Sequence, residues 1–151
     1  MQSQLKIRPA TPGDLPLIAQ FTDLLVRFHG DHYICDLVAI MRDVFGPASG
    51  ARVYFGEHEN CTIAYAVCTT EIALHRNQRC QQVHLFRVLK AHRRTGVLQQ
   101  MVTFLLQMAQ VEGASAQTFS ANLQNGAAQQ SYLAMGFRRR AVTGTHLLKT
   151  L

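Results

Sequence analysis

The sequence predicts an α+β domain built on a largely antiparallel sheet, and three observations lead there. Three strand-like segments, residues 52–55, 62–67 and 81–89, follow one another with only short polar turns between them. Two segments with helical periodicity precede this run and two more follow it, each with a start or stop signal at an end. Short strand-like stretches flank the helices on both sides. The full order is strand, two helices, three strands, helix, strand, helix and two strands, which segregates elements rather than alternating them strictly.

Each element has its own reason. Leu5-Lys6-Ile7-Arg8 alternates apolar and polar side chains, as a half-buried strand does. Thr11-Pro12-Gly13-Asp14 marks a helix start: Thr11 can cap, Pro12 suits the first helical position, and Asp14 lies near the positive end of the dipole. Leu15, Ile18, Leu24, Leu25 and Phe28 supply that helix with an apolar stripe. His29-Gly30-Asp31-His32 interrupts it, and residues 33–44 read as a second helix carrying Ile34, Leu37, Val38 and Met41. His58-Glu59-Asn60 joins the first two central strands, and residues 67–74 can prolong the second. After a polar turn at His75-Arg76-Asn77-Gln78 comes the third. Gly96 opens a long helix, 97–110, with Leu98, Met101, Val102, Leu105, Met108 and Ala109 on its buried face. Residues 117–121 form a weak strand, poor in large apolar side chains. Residues 125–135 form a helix ended by Gly136, a left-handed residue just past the last turn. Two final strands are expected around 137–142 and 145–148.

Composition narrows the class. The chain has 151 residues, 48% of them hydrophobic and 16% charged, which suits one globular domain spanning 1–151. No apolar run approaches the ~20 residues of a membrane helix, and the first residues lack the apolar core of a secretory signal, so the expected location is the cytoplasm. Cys35, Cys61, Cys68 and Cys80 show neither Cys-x-x-Cys spacing nor Cys/His pairing; free thiols and no metal are expected. The net charge of +6 favours an anionic partner, either nucleic acid or a phosphate-bearing nucleotide cofactor. The arginines gather in two places, Arg87/Arg93/Arg94 and Arg138/Arg139/Arg140, which suits a local site better than an extended one.

The stretch from Val83 to Leu98 joins a strand, a basic turn and a helix that begins at a glycine. Backbone N–H groups at a helix start converge on one spot that the dipole makes favourable for negative charge. Arg93 and Arg94 add charged donors and Thr95 a hydroxyl. By itself this is an anion site of unspecified ligand.

Arg93-Arg94-Thr95-Gly96-Val97-Leu98 resembles the acetyl-CoA motif of the GNAT acetyltransferases, Gln/Arg-x-x-Gly-x-Gly/Ala, placed after an apolar strand. Asn125-Gly126-Ala127-Ala128-Gln129-Gln130-Ser131-Tyr132-Leu133-Ala134-Met135-Gly136-Phe137 is similar to the family's Asn-x-x-Ala-x-x-x-Tyr-x-x-x-Gly-Phe segment at every named position. Ile7-Arg8-Pro9-Ala10-Thr11, followed by Asp14-Leu15-Pro16, resembles its usual opening. The resemblance spans essentially the whole chain and implies a GNAT fold: a mixed sheet of six or seven strands, about four helices, and a splay at the acetyl-CoA site.

What the resemblance implies for single residues follows. Backbone groups of Phe86 and Val88 would pair with the pantetheine arm. Residues Arg93, Arg94, Thr95, Gly96, Val97 and Leu98 would hold the pyrophosphate; Asn125 and the small Ala128 would border the pantetheine. Tyr132 would protonate the departing thiolate, a task a phenol near its ordinary pKa of ~10 can perform. Branches of the family place a glutamate base at strand positions that here read Gln82 and His84. Gln82 can only hold a water; His84 can accept a proton, and a water relay with no dedicated base stays open. The chain departs from the pattern at Leu98, where Gly or Ala is usual, and at Arg94, where Gly is frequent.

The expected reaction is transfer of an acetyl group from acetyl-CoA to a primary amine of a small molecule. A protein or aminoacyl-tRNA amino group is the alternative acceptor, and a non-catalytic CoA-binding module the third reading. Nine scattered carboxylates speak against a polyamine. His29, Asp31, His32 and Tyr33 lie in a loop between helices that often borders the acceptor in this fold; solvated connection is the simpler role. The partners expected are acetyl-CoA and an amine, with no membrane; nucleic acid is disfavoured and a homodimer allowed.

Overall fold

The computed structural model describes residues 4–28, 30, 34–120, 126–141 and 144–151, in two units that divide at Ser120/Ala121. The first unit holds a five-stranded sheet in the order β1 (Lys6–Pro9), β2 (Ala51–His58), β3 (Cys61–Ala73), β4 (Gln78–Val88), β5 (Ala116–Phe119). The first three pairings are antiparallel and β4–β5 is parallel. Glu59 and Asn60 both have positive φ (49° and 63°), the geometry of a two-residue hairpin turn whose twist matches its strands.

The sheet is buried on both faces. On one side lies α3 (Val97–Val111), whose Val97, Met101 and Leu105 pack on Tyr54, Ala64, Ala66, Cys68, Val83 and Val88. The small strand residues let this helix lie close: a Cβ on Gly56 would come within 3.0 Å of Met101 Sδ and of Ala64 Cβ. On the other side lies α1 (Leu15–Phe28), whose Ile18, Phe21 and Leu25 cover Val53, Phe55 and Tyr65. The rings of Phe21, Phe55 and Tyr65 sit 5.5–6.1 Å apart, tilted. The Tyr65 hydroxyl meets Thr22 Oγ1 at 2.7 Å, so its burial leaves no orphan polar group.

Arg8 ties the first strand to the first helix. It donates to Asp14 through both terminal nitrogens (2.7 and 3.0 Å) and to Glu57 through Nε (2.7 Å). Asp14 also accepts the Thr11 N–H at 2.8 Å, closing the turn the sequence marked as a helix start.

The second helix is shorter than expected. Asp36 accepts from Val38 N and caps α2 (Leu37–Ile40), which runs into one wide turn at Met41–Phe45. An aspartate able to cap competes with continuation of the helix through it, and Ile34, expected inside the helix, is 92% exposed. The outer side of this element, with Leu15, bounds an apolar groove of about 580 Å³.

The second unit holds α4 (Gly126–Ala134). The two closing strands expected at 137–142 and 145–148 are not formed among the described residues, so the sheet has five strands rather than six or seven. Arg138, Arg139 and Arg140 are exposed in succession, a pattern with no buried face, and Leu147 and Leu148 are over 90% exposed. The α+β class stands. No helix among the described residues is long and apolar enough to cross a membrane.

Candidate active site

The site grows from a change in sheet pairing. β5 pairs with β4 only from Cys80↔Ala116 to Val83↔Phe119, while β4 continues to Val88. Among the described residues nothing pairs with the outer side of residues 84–88, so the sheet opens after Val83. A bulge sits at the same place: Val67 faces Leu85 and Cys68 faces Val83, which leaves His84 as the extra residue. Such an insertion bends a strand and raises its twist.

The backbone directions follow from the ladder. Leu89 donates its N–H to Ile63 O at 2.9 Å, and Val88 lies opposite Ala64. Bonded and non-bonded pairs alternate in an antiparallel ladder, so Phe86 and Val88 direct their backbone groups away from β3, into the opening. Val88 O there accepts Arg93 Nε at 3.1 Å. The Phe86 ring packs edge-on against Phe119 (5.7 Å, 75°), and the Val88 side chain is in the core.

A tight turn at Lys90–His92 then leads into α3. Thr95 Oγ1 donates to His92 O and braces this turn. The His58 and His92 rings lie 6.0 Å apart beside it. Arg94 has φ 62° and Gly96 φ 85°, both left-handed. The glycine that the family motif places near Arg94 therefore answers a real backbone demand, which Arg94 meets under strain. No side chain caps α3, and its first i→i−4 bond is Gln100 N to Gly96 O at 3.1 Å. The N–H groups of Val97, Leu98 and Gln99 precede that bond and have no partner within the helix. Val97 is buried, and Leu98 packs against the same core, so its bulk is turned inward.

His84 is exposed on the sheet face opposite α3, where its Nε2 hydrogen-bonds Thr69 Oγ1. Gln82, facing Thr69 across the ladder, lies on the same face. Arg87 is partly buried, donates to Leu24 O at 3.5 Å, and has its pKa lowered by that burial and by Arg93. Among the described residues no group of three His, Cys, Asp or Glu is placed to hold a metal.

In the second unit the motif spacing acquires a structural meaning. Phe137 N donates to Tyr132 O (3.1 Å) and Gly136 N to Leu133 O (3.1 Å), with Gly136 at φ 91°. This is a Schellman ending, and the Tyr132 and Phe137 rings meet edge-to-face at 5.9 Å as its apolar contact. The Tyr-x-x-x-Gly-Phe pattern thus fixes the end of α4. Burial pushes the Tyr132 phenol up to about 12. Ala128 lies one turn before Tyr132 on α4, partly buried. Asn125, His29, Asp31, His32 and Tyr33 lie outside the described residues.

The sequence offered no signal for the bulge at His84 or for Thr69 as its partner, because both depend on the β3–β4 register. Nor did it reveal which strand edge stays open.

A family model described as an acetyltransferase (GNAT) domain matches residues 43–145. The chain belongs to the GNAT acetyltransferases. The match begins before β2 and ends beyond α4, so it takes in the open edge of β4, the start of α3 and the Tyr132 helix. No curated protein matches this GNAT chain by sequence. Solved structures share its fold. An aminoglycoside acetyltransferase from an uncultured soil metagenomic sample, in complex with sisomicin, superposes with a TM-score of 0.79 at 16% identity, over 96% of this chain and 97% of that one. A "possible acetyltransferase" from Clostridium difficile 630 gives 0.77 at 17% identity, over 97% and 99%. An integron cassette protein from V. cholerae gives 0.77 at 17%, over 99% and 94%.

Proposed function

We propose that residues 1–151 act as one cytoplasmic N-acetyltransferase domain that moves the acetyl group of acetyl-CoA to a primary amine of a small molecule, by direct attack in a ternary complex. The observation that carries this reading is the open edge of β4 running into an uncapped, left-handed helix start, in a chain of the GNAT family. The outward backbone groups of Phe86 and Val88 take the pantetheine amides. The N–H groups at the start of α3, with Arg93 and Arg94 and the turn braced by Thr95, take the pyrophosphate. Val97 and Leu98 contribute backbone there while their side chains anchor the helix. Asn125 and Ala128 border the pantetheine.

The neutral amine attacks the thioester carbonyl, the C–S bond breaks, and the thiolate takes the Tyr132 proton. The ammonium proton formed on the acceptor passes to His84 or to a water held near Gln82 and His84. With its pKa raised to about 12, the Tyr132 phenol stays protonated across the neutral range.

A polycationic acceptor is disfavoured because five of the eight described carboxylates are already engaged. Asp14 and Glu57 are held by Arg8, Asp43 by Arg42 and Glu112 by Arg52, all at 2.7–2.8 Å, and Asp36 caps a helix. A macromolecular acceptor such as aminoacyl-tRNA is the second reading, favoured by the exposed run Arg138-Arg139-Arg140.

The test is CoA release from acetyl-CoA over a panel of monoamines, polyamines and aminoglycosides, with Tyr132→Phe alongside. Release with at least one amine, reduced about 10²–10⁴-fold in the variant, supports the reading. Equal rates in both proteins would remove Tyr132 from the mechanism.

A further inference from the structure

We infer that the buried Gln81–Gln117 pair is a register lock that sets where the sheet opens, and so positions the cofactor-binding edge of β4. This rests on the reading of that edge as the acetyl-CoA site. Gln81 is 1% exposed and is the single buried polar or charged side chain among the described residues. Gln117 lies directly beside it across the parallel β4–β5 ladder and donates from Nε2 to Gln81 Oε1 at 2.6 Å. The remaining amide atoms, Gln81 Nε2 and Gln117 Oε1, are buried without a hydrogen-bond partner. Two apolar side chains would fill this place more stably, so the pair is better explained by specificity than by stability.

Patterning alone leaves the β5 register loose. The strand is four residues, Ala116-Gln117-Thr118-Phe119, with one large apolar side chain. A slip by one residue would turn Phe119 away from the α3 face and is excluded by hydrophobic burial. A slip by two keeps every face correct. It would set Gln117 beside Val83 or beside the exposed Arg79, and in either case the buried Gln81 amide loses its Gln117 partner. Ser115 N donates to Arg79 O (2.9 Å) at the start of the strand, and the Gln–Gln bond is the side-chain contact inside the ladder that opposes even slips.

The consequence falls on the site. In the observed register β5 ends beside Val83, and Phe119 wedges against Phe86. A shift of two residues is about 6.6 Å at ~3.3 Å per residue. In one direction it covers the β4 edge as far as Leu85; in the other it withdraws the Phe119 wedge. Gln81 and Gln117 are positioning residues, since neither backbone edge nor helix start includes them.

The experiment compares wild type with Gln81→Met/Gln117→Met, and with Gln117→Met alone in case the double variant does not fold. Thermal midpoints, the acetyl-CoA Kd and KM against kcat, and hydrogen exchange of the β5 amides are measured on the full chain. The lock expects a double variant as stable as wild type or more so, an acetyl-CoA Kd and KM raised about tenfold with kcat changed far less, and β5 amides exchanging at least tenfold faster. A role in packing alone would lower the midpoint and leave Kd and exchange in place, and that result overturns the inference. The exchange readout needs no cofactor: unchanged β5 exchange overturns the lock even where wild type binds no acetyl-CoA, whereas absent binding with faster exchange overturns the cofactor site.

Discussion

Replacing Arg94 with glycine should stabilise the protein while weakening its hold on acetyl-CoA, and the two effects have separate origins. Arg94 sits at φ 62° and is exposed, so its backbone is in the left-handed region without compensating burial. An ordinary L-residue there loses about 1–2 kcal/mol, which glycine does not. Glycine also loosens the unfolded chain, returning about 0.4–1 kcal/mol of that gain. The net stabilisation is about 0.5–1 kcal/mol, or a thermal midpoint roughly 1–4 °C higher for a chain of this size. The guanidinium, meanwhile, is one of the cations assigned to the pyrophosphate. Loss of one exposed charged contact costs about 1 kcal/mol, roughly fivefold in Kd. Differential scanning calorimetry and titration of acetyl-CoA measure the two quantities on one preparation. Arg94→Ala separates them, since alanine keeps the strain and removes the charge: its Kd should weaken equally with no rise in midpoint. A midpoint that falls in Arg94→Gly would refute the strain argument, and an unchanged Kd would take Arg94 out of the site.

Other outcomes follow from single contacts. Gly136→Ala meets no atom within 4 Å, so its cost is conformational alone, about 1 kcal/mol net at φ 91°, read as a lower thermal midpoint. Thr22→Val should destabilise more than Tyr65→Phe in urea unfolding: the first orphans a buried phenol at about 1–3 kcal/mol, while the second leaves Thr22 Oγ1 bonded to Ile18 O. The Arg8 guanidinium holds the Asp14 carboxyl well below its ordinary value of 3.8, so this pair's contribution is complete above that pH and fades as pH falls below it; Asp14→Asn should flatten that acid slope of stability. Because the Tyr132 phenol is raised to about 12, the pH–rate profile should show no alkaline decline from it below pH 10.

Much of the fold was legible because its signals are local. The hairpin at Glu59-Asn60, the helix opened by Gly96 and the ending at Gly136 each depend on a few adjacent residues whose backbone needs are visible in their side chains. What failed depends on partners. Residues 145–148 have strand-like composition but find no ladder among the described residues, and the second helix gives way to the Asp36 cap. The motif residues Arg93 to Leu98 and Tyr132, to which the proposal gives its roles, were plain from the chain. The inward turn of Leu98, the bulge at His84 and the Gln81–Gln117 bond were not, since each is set by register and packing across the sheet. The strain at Arg94 lay between the two: the motif showed a departure, and the backbone angle explained it.

Calorimetric titration of acetyl-CoA into the wild-type protein tests most directly whether the open β4 edge and the start of α3 form a cofactor site. Saturable binding in the micromolar range, weakened by Arg94→Gly, is the expected result. Absence of binding below millimolar concentration would contradict it.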